Sequence, residues 1–270
     1  MGGAAYDPVV RAVSGSLRAA GLADAAVVVA CSGGADSVAL LRAVAGMRGR
    51  RGWEALRPVV GHVQHHLRDS AEDDAGFVMR LAERLGVAGH RLDVSVPTGR
   101  GRNVLAEARR VRYGALRDLA ERVGAAAVLT AHHADDQLET LLLRLARGGA
   151  VASMGGLWPD RQVFGVRVVR PMLPPEDGGG GCRAVTRDQV EHYLRRLGQD
   201  WRDDPGNADV RRARARLRRD VLPALQAINP AAARHAVELA AAVRRLGSEP
   251  GSASPDPGSQ NPARSDRAAR

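Results

Sequence analysis

Ala26-Val27-Val28-Val29-Ala30-Cys31-Ser32-Gly33-Gly34-Ala35-Asp36-Ser37 is the stretch that decides the fold. Its first six residues are apolar and rich in β-branched side chains, as a strand buried on both faces requires. Ser32–Ser37 then reads as a turn that opens a helix. Two adjacent glycines let the backbone approach an anion closely, and successive N–H groups at a helix start carry partial positive charge. The hydroxyls of Ser32 and Ser37 add donors, so Ser32, Gly33, Gly34, Ala35, Asp36 and Ser37 form a candidate phosphate-binding loop. Asp36 would repel a phosphate unless a divalent cation lay between them, which points to Mg²⁺ with Asp36 as its ligand. A plain Gly-rich turn with Asp36 as helix cap is the competing reading.

Working outward, the same alternation repeats. A short helix over Pro8–Ala20 ends at Gly21, and the helix after the loop runs through Gly46. Strands are expected at Pro58–Gln64, His90–Val96 and Ala126–Ala131. Helices are expected at Ser70–Leu85, from Asn103 to about Val123, and over His133–Arg147. Strands alternating with helices of this length define an α/β fold, a doubly wound parallel sheet. Ligands of such sheets sit at the carboxyl ends of the strands, where the polar clusters of this sequence also fall. After Gly148 the pattern changes: Gly148–Trp158 reads as a Gly-rich loop, Val163–Val169 as one strand and Pro174–Gly181 as a linker. Thr186–Leu197 and Asn207–Leu246 read as helices. From Gly247 the Ser/Pro/Gly/Arg-rich composition predicts disorder. The expected organisation is therefore a nucleotide-binding domain over 1–181, a small helical C-terminal region over 182–246 and a tail over 247–270.

The bulk numbers narrow the function classes. The chain has 270 residues, 44% of them hydrophobic, enough for one substantial core. No apolar run approaches the ~20 residues of a membrane span, and no basic segment followed by an apolar one opens the chain. Cys31 and Cys182 form no CxxC pair, so a cytoplasmic protein without disulfides is expected. All 40 Lys-plus-Arg residues are arginine, which removes a Walker A lysine or a Schiff base from consideration. A net charge of +10 suits a polyanionic partner such as nucleic acid.

The stretch Thr130-Ala131-His132-His133-Ala134-Asp135-Asp136-Gln137-Leu138-Glu139-Thr140 follows the fourth strand. In helical geometry Asp136 and Glu139 lie about 60° apart, with His132 between them if the helix reaches back that far. Leu138, Leu141, Leu142 and Leu145 fall on the opposite side, expected to pack on the sheet. An acidic face without an excess of local arginine could hold a cationic amine; carboxylates complementing the helix dipole are the alternative. A metal site built from His62, His65 and His66 is disfavoured, because His62 and His65 face opposite sides of a strand and no cysteine joins them. Downstream, Arg211–Arg219 holds six arginines in nine residues. Val210, Ala213, Leu217 and Val221 could form a packing stripe that leaves Arg212, Arg216 and Arg219 on one exposed face, suited to phosphates or simply to water. Aromatics are only 3% of the chain, so recognition of a folded RNA by backbone and shape fits better than base stacking.

The loop SGGADS resembles that of the PP-loop ATP-pyrophosphatase family, whose members split ATP into AMP and pyrophosphate while activating an oxygen as an adenylate. Within it, HHADDQLET resembles the HHxDDQxET motif of the lysidine synthases. His62–Arg68 resembles that branch's H-V-x-H-G-L-R stretch, with Gln64 and His66 as departures. Glu107–Tyr113 is similar to its E-A-R-x-x-R-Y helix, and Arg170-Pro171-Met172-Leu173 to its R-P-L-L. Trp201–Asn207 resembles W-x-x-D-x-S-N, though Pro205-Gly206 departs from it. Arg214–Pro223 is similar to R-N-x-[IL]-R-x-x-[VL]-L-P, with Ala215 where Asn is usual. The resemblance covers roughly residues 26–240 and looks like a short form; its departures bear on RNA docking rather than on ATP chemistry.

The resemblance implies ATP and Mg²⁺ as cofactors and tRNA(Ile) with a CAU anticodon and free L-lysine as substrates. It implies a wobble cytidine adenylated and then captured by lysine, with no membrane partner and with a homodimer compatible. Asp36, Asp136, Glu139 and His132 are the implied catalytic residues. His65, Arg109, Arg112, Arg212, Arg214, Arg216, Arg218 and Arg219 are the implied tRNA contacts. Two other readings stay open. One is a tRNA thiolase of the same superfamily, which would lean on Cys31 or Cys182. The other is a non-catalytic module that binds ATP and RNA.

Overall fold

The computed structural model describes residues 7–65, 71–97, 104–176, 183–202 and 213–247. Expectations that fall on the remaining residues, including Arg212, His66, Cys182, most of the Trp201–Asn207 motif and the tail from 248, lie outside them. Helix α1 (Pro8–Ala19) precedes β1 (Ala26–Ala30), α2 (Ala35–Met47), β2 (Arg57–Gln64), α3 (Ala71–Arg84), β3 (Ala88–Asp93), α4 (Val104–Arg122), β4 (Ala127–Leu129) and α5 (Ala134–Ala146). A 3-10 turn, Val151–Gly155, leads to β5 (Asp160–Val163) and β6 (Val166–Val169). The remainder is helical: α6 (Arg187–Arg196), α7 (Ala213–Arg216), a π turn (Leu217–Val221), α8 (Leu222–Ile228) and α9 (Ala232–Gly247).

The six strands are ordered β3-β2-β1-β4-β6-β5, all parallel except β5, which pairs antiparallel with β6. The expected parallel α/β sheet is present. The order reverses between β1 and β4, so the crevice beyond their carboxyl ends is where such a sheet opens to a ligand. Val27, Val29 and Leu129 pack with α1, α2, α3 and α6 in one core, while α4 covers the other face with Val28, Val128 and Val168. Helix α6, C-terminal to Gly181, thus packs into the first core through Val190, Tyr193 and Leu194.

Three expectations are corrected here. Val163–Val169 is two strands, not one: Val163 pairs with Val166 across a two-residue turn. Phe164 and Gly165 take φ of 47° and 82°, the positive values that a type I′ hairpin turn demands. The apolar face of α5 does not pack on the sheet. Leu138 and Leu141 pack instead against Ala233, Ala236, Val237 and Ala240 of α9 in a separate core, and Leu145 is exposed. In the Arg-rich segment, Ala215 and Leu222 are buried whereas Ala213 and Val221 are exposed. Pro223 has no N–H to give the carbonyl four residues back, the ladder loosens into the π turn, and the expected stripe is rotated away.

Gly61 in β2 has an identifiable packing reason. A Cβ there would meet Leu116, Leu119 and Val28 side chains at 3.0–3.1 Å, inside the α4–sheet interface. Gly61→Ala is expected to destabilise the fold by about 1–3 kcal/mol through overpacking, read as a lower denaturant midpoint at unchanged slope.

Candidate active site

The loop after β1 is shaped by its own side chains. Ser37 Oγ donates to the Gly34 carbonyl (2.9 Å) and accepts from the Ser32 amide (3.1 Å), which ties the first turn of α2 back to the strand end. Gly33 takes φ of 96°, a conformation costly for any residue with a Cβ. Its carbonyl accepts from the Arg202 amide (2.9 Å), and Arg202 in turn pairs with Asp74 (3.1 Å). The segment carrying Trp201 is thereby fastened to the loop from 169 residues away. Gly34 caps α2 without a side chain, leaving the helix start open.

Facing this loop is the start of α5. Thr130 still pairs with the Val169 carbonyl, so the chain stays extended past β4, and His133 rather than His132 becomes the N-cap. The His133 amide donates to Asp136 Oδ2 (3.1 Å). Its ring, 1% exposed, lies 3.3 Å from Asp36, 3.4 Å from Asp135 and 3.6 Å from Asp136. Burial works against protonation of His133, but Asp136, Asp135 and Asp36 together outweigh it and hold its pKa well above the usual value. Burial would likewise raise Asp36 and Asp135, yet the bond and charge of His133 keep both below the ordinary carboxylate range. His133 and Asp135 were missed in the sequence. The available signal was an N-cap position followed three residues later by an acid that can accept from the cap amide.

His132 is corrected: it does not lie between Asp136 and Glu139. Its ring meets Thr130 Oγ1 at 3.0 Å on the far side of the strand end. There burial first, then Arg170, Arg112, Arg109 and Arg214, push its pKa well below normal. Adjacent histidines thus face opposite fields. The carboxylates favour the protonated form of His133, and burial and the arginines favour the neutral form of His132.

The acidic face is also not free of arginine. Arg218 Nε pairs with Glu139, and its Nη2 reaches Asp136 Oδ1 at 3.3 Å. Burial raises the Glu139 pKa and Asp136 adds to it, against the opposing pull of Arg218. Arg218, expected among the RNA contacts, therefore points inward to the carboxylates. Beside it opens a cavity of about 450 Å³ lined by His133, Asp135, Glu139, Arg187, Asp188 and Arg218, with Ala215, Leu222 and Pro223 as apolar wall. Of the other arginines, Arg214 and Arg216 are exposed, and Arg219 pairs with Asp220 at 2.6 Å. Arg109, Arg112 and His65 lie on the His132 side.

Asp36 Oδ1 is buried and meets only the His133 ring, at 3.3 Å, a carboxylate oxygen with capacity left for a cation. Among the described residues no group of three or more His, Cys, Asp or Glu forms a metal cage. Any Mg²⁺ would thus take most of its ligands from phosphate and water, which is its ordinary habit.

A glycine loop between a parallel strand and a helix, facing a carboxylate array across the switch point of the sheet, defines a nucleotide-site α/β protein. The PP-loop domain family matches residues 10–225, and the chain belongs to it. The chain is 46% identical over 207 residues to tRNA(Ile)-lysidine synthase of Deinococcus deserti, covering 76% of this chain and 34% of the relative. It is 43% identical to that of Thermus thermophilus (77% and 37%) and 44% identical to that of Methylobacterium nodulans (81% and 59%). The chain thus spans about a third of the length of the first two of these relatives. In fold it is similar to a U34-tRNA thiolase from Methanococcus maripaludis with a 4Fe–4S cluster, at TM-score 0.70 and 15% identity over 88% of this chain and 77% of that one. Among the described residues no helix is long and apolar enough to cross a membrane.

Proposed function

We propose that the chain is an ATP-dependent ligase that makes lysidine at the wobble cytidine of tRNA(Ile) with a CAU anticodon. The observation that carries this reading is the continuous run from the phosphate loop through Asp36, His133, Asp136 and Glu139 into a cavity with carboxylates, guanidinia and an apolar wall. A free amino acid with two charged ends and an aliphatic stem matches that lining. The likeness to the relatives named above supports the same assignment.

In this reading the cytidine O2 attacks the α-phosphorus of ATP and pyrophosphate leaves. The ε-amine of lysine then attacks C2, and AMP leaves with the oxygen. Loop N–H groups and the start of α2 stabilise the charge that moves onto pyrophosphate. Asp36 would hold Mg²⁺ together with phosphate and water oxygens, and the ion supplies further charge neutralisation there. His133, within 3.3–3.6 Å of Asp36, Asp135 and Asp136, holds the three carboxylates together beside the loop. Asp136 and Glu139 attract the ammonium; Glu139, its pKa raised by burial, is the better placed to take a proton before attack. Arg218 must share these carboxylates with lysine or turn toward the lysine carboxylate.

Thiolation has less support in this chain. Cys31 beside the loop is 2% exposed, and burial pushes its thiol pKa up, the setting of a structural cysteine rather than a nucleophile. Incubating the protein with tRNA(Ile) transcript, ATP and lysine, then weighing the released nucleosides, tests the assignment. Cytidine plus lysine less water is expected. Pyrophosphate without that nucleoside would sink it, and a thiolated base formed when a sulfide donor replaces lysine would favour the alternative.

A further inference from the structure

The sheet edge carries a second polar cluster, on the side opposite the carboxylates. Tyr113 of α4 is fully buried, and the guanidinium carbons of Arg109 and Arg112 lie 4.9 and 5.2 Å from its ring centroid. Arg170, at the end of β6, is 3% exposed; it gives one N–H to the Trp158 carbonyl, and its Nε has no partner. The Tyr113 hydroxyl lies against the Arg112 and Arg170 guanidinia, and His65 Nδ1 is buried without a hydrogen-bond partner. Arg214 of α7 adds its field to Arg112 and His132 from the solvent side.

Among the described residues no carboxylate lies within ion-pair distance of Arg109, Arg112, Arg170 or Arg214. Exposed arginines elsewhere, Arg57 and Arg122 among them, also lack an acid among the described residues; what marks this group is that its members gather around one buried ring and that Arg170 is withdrawn from solvent. Four cations gathered around a buried hydroxyl and a neutral histidine repel one another, and partial burial makes that repulsion larger than at an open surface. Unsatisfied buried donors add to the cost. An anion with several acceptor oxygens relieves both at once.

We propose that Arg109, Arg112, Arg170, Arg214 and the Tyr113 hydroxyl form a phosphate subsite that takes a phosphodiester of the RNA strand presenting the base. The inference rests on the RNA-modifying reading above and adds where the strand is gripped. RNA is favoured over the nucleotide cofactor because the ATP phosphates have their own N–H cradle after β1. Moreover, the exposed Arg109 and Arg214 form a rim that a polymer can reach. The base would then enter between the two fields, with its backbone on the arginine side and the amine on the carboxylate side. Contacts of this kind position a strand without reading its sequence.

The test is the salt dependence of binding to tRNA(Ile) and to an unrelated tRNA, without ATP or lysine, for Arg112→Gln, Arg109→Gln and Tyr113→Phe. Each arginine variant is expected to weaken both RNAs about tenfold or more and to flatten the log–log salt slope by roughly 0.7–0.9 per lost contact. Tyr113→Phe, which keeps the ring, is expected to weaken binding about 2- to 12-fold with the slope unchanged. ATP affinity, measured separately, should stay at the wild-type value. RNA binding unaltered in Arg109→Gln and Tyr113→Phe overturns the proposal even if Arg112→Gln fails to fold. A fall in ATP affinity with RNA binding intact also overturns it and assigns the cluster to the nucleotide. Because binding needs no turnover, absence of lysidine with normal RNA binding would sink the ligase reading and leave this one standing.

Discussion

Asp36→Ala is expected to lower tRNA-dependent ATP–pyrophosphate exchange by about 10²–10³-fold, the loss typical of removing one group that stabilises charge developing in the transition state. The carboxylate sits in the first turn of α2, where a negative side chain beside bound phosphate makes chemical sense only with a cation between them. Its Oδ1 meets the His133 ring across the crevice and no group of the loop itself, so the oxygen is not committed to holding the loop together. Ser37 does that instead, through Gly34 and Ser32. The variant should therefore stay folded, and His133 keeps Asp135 and Asp136 as neighbours. Asp36→Asn, which preserves shape and loses charge, should be impaired nearly as much. Exchange within a few-fold of wild type in either folded variant would remove Asp36 from the metal role.

The sheet was legible because its signals are local. A β-branched run followed by Gly-rich punctuation identifies a buried strand whatever surrounds it, and β1, β2, β3 and β4 all fall within a few residues of where the sequence puts them. The β5–β6 hairpin was not legible for a matching reason: Phe164 at positive φ is an uncommon turn residue, so valines on both sides of Phe164-Gly165 read as one run. What lies across the chain was less readable still. The leucines of α5 announce an apolar face but not its partner, and α9, about 90 residues later, supplies it.

The site divides the same way. The glycine loop and the Asp136/Glu139 pair follow from spacing within one segment. Whether His132 or His133 joins them depends on how far the chain stays extended after β4, which the pairing of Thr130 with Val169 decides. Arg218 depends on a π turn ahead of Pro223 that aims one arginine of a basic segment at two carboxylates. Composition counts such an arginine toward RNA; only packing turns it inward.

That inward turn sharpens the expectation for the carboxylates themselves. If Asp136 and Glu139 receive the lysine ammonium, Asp136→Asn and Glu139→Gln should leave formation of the tRNA adenylate near normal and slow its capture by the amine. Neutral amides keep the shape of the pocket but lose the charge that attracts an ammonium and the basicity that could deprotonate it. A lost charge-assisted hydrogen bond of about 1.5–3 kcal/mol corresponds to roughly a 10- to 150-fold rise in the lysine needed. Glu139→Gln also deprives Arg218 of its closest partner, and a buried pair missing one member costs about 3–5 kcal/mol of stability. Loss of fold must therefore be separated from loss of lysine binding. Glu139→Gln combined with Arg218→Gln restores a neutral pair, and its melting temperature should recover while the raised lysine requirement persists. The assay titrates lysine against product and follows the AMP–cytidine adduct separately. Adduct formation lost at normal lysine dependence would assign both carboxylates to the ATP side of the crevice. Full recovery of lysine dependence in the double variant would mean that Arg218, not the ammonium, is what these carboxylates are there to hold.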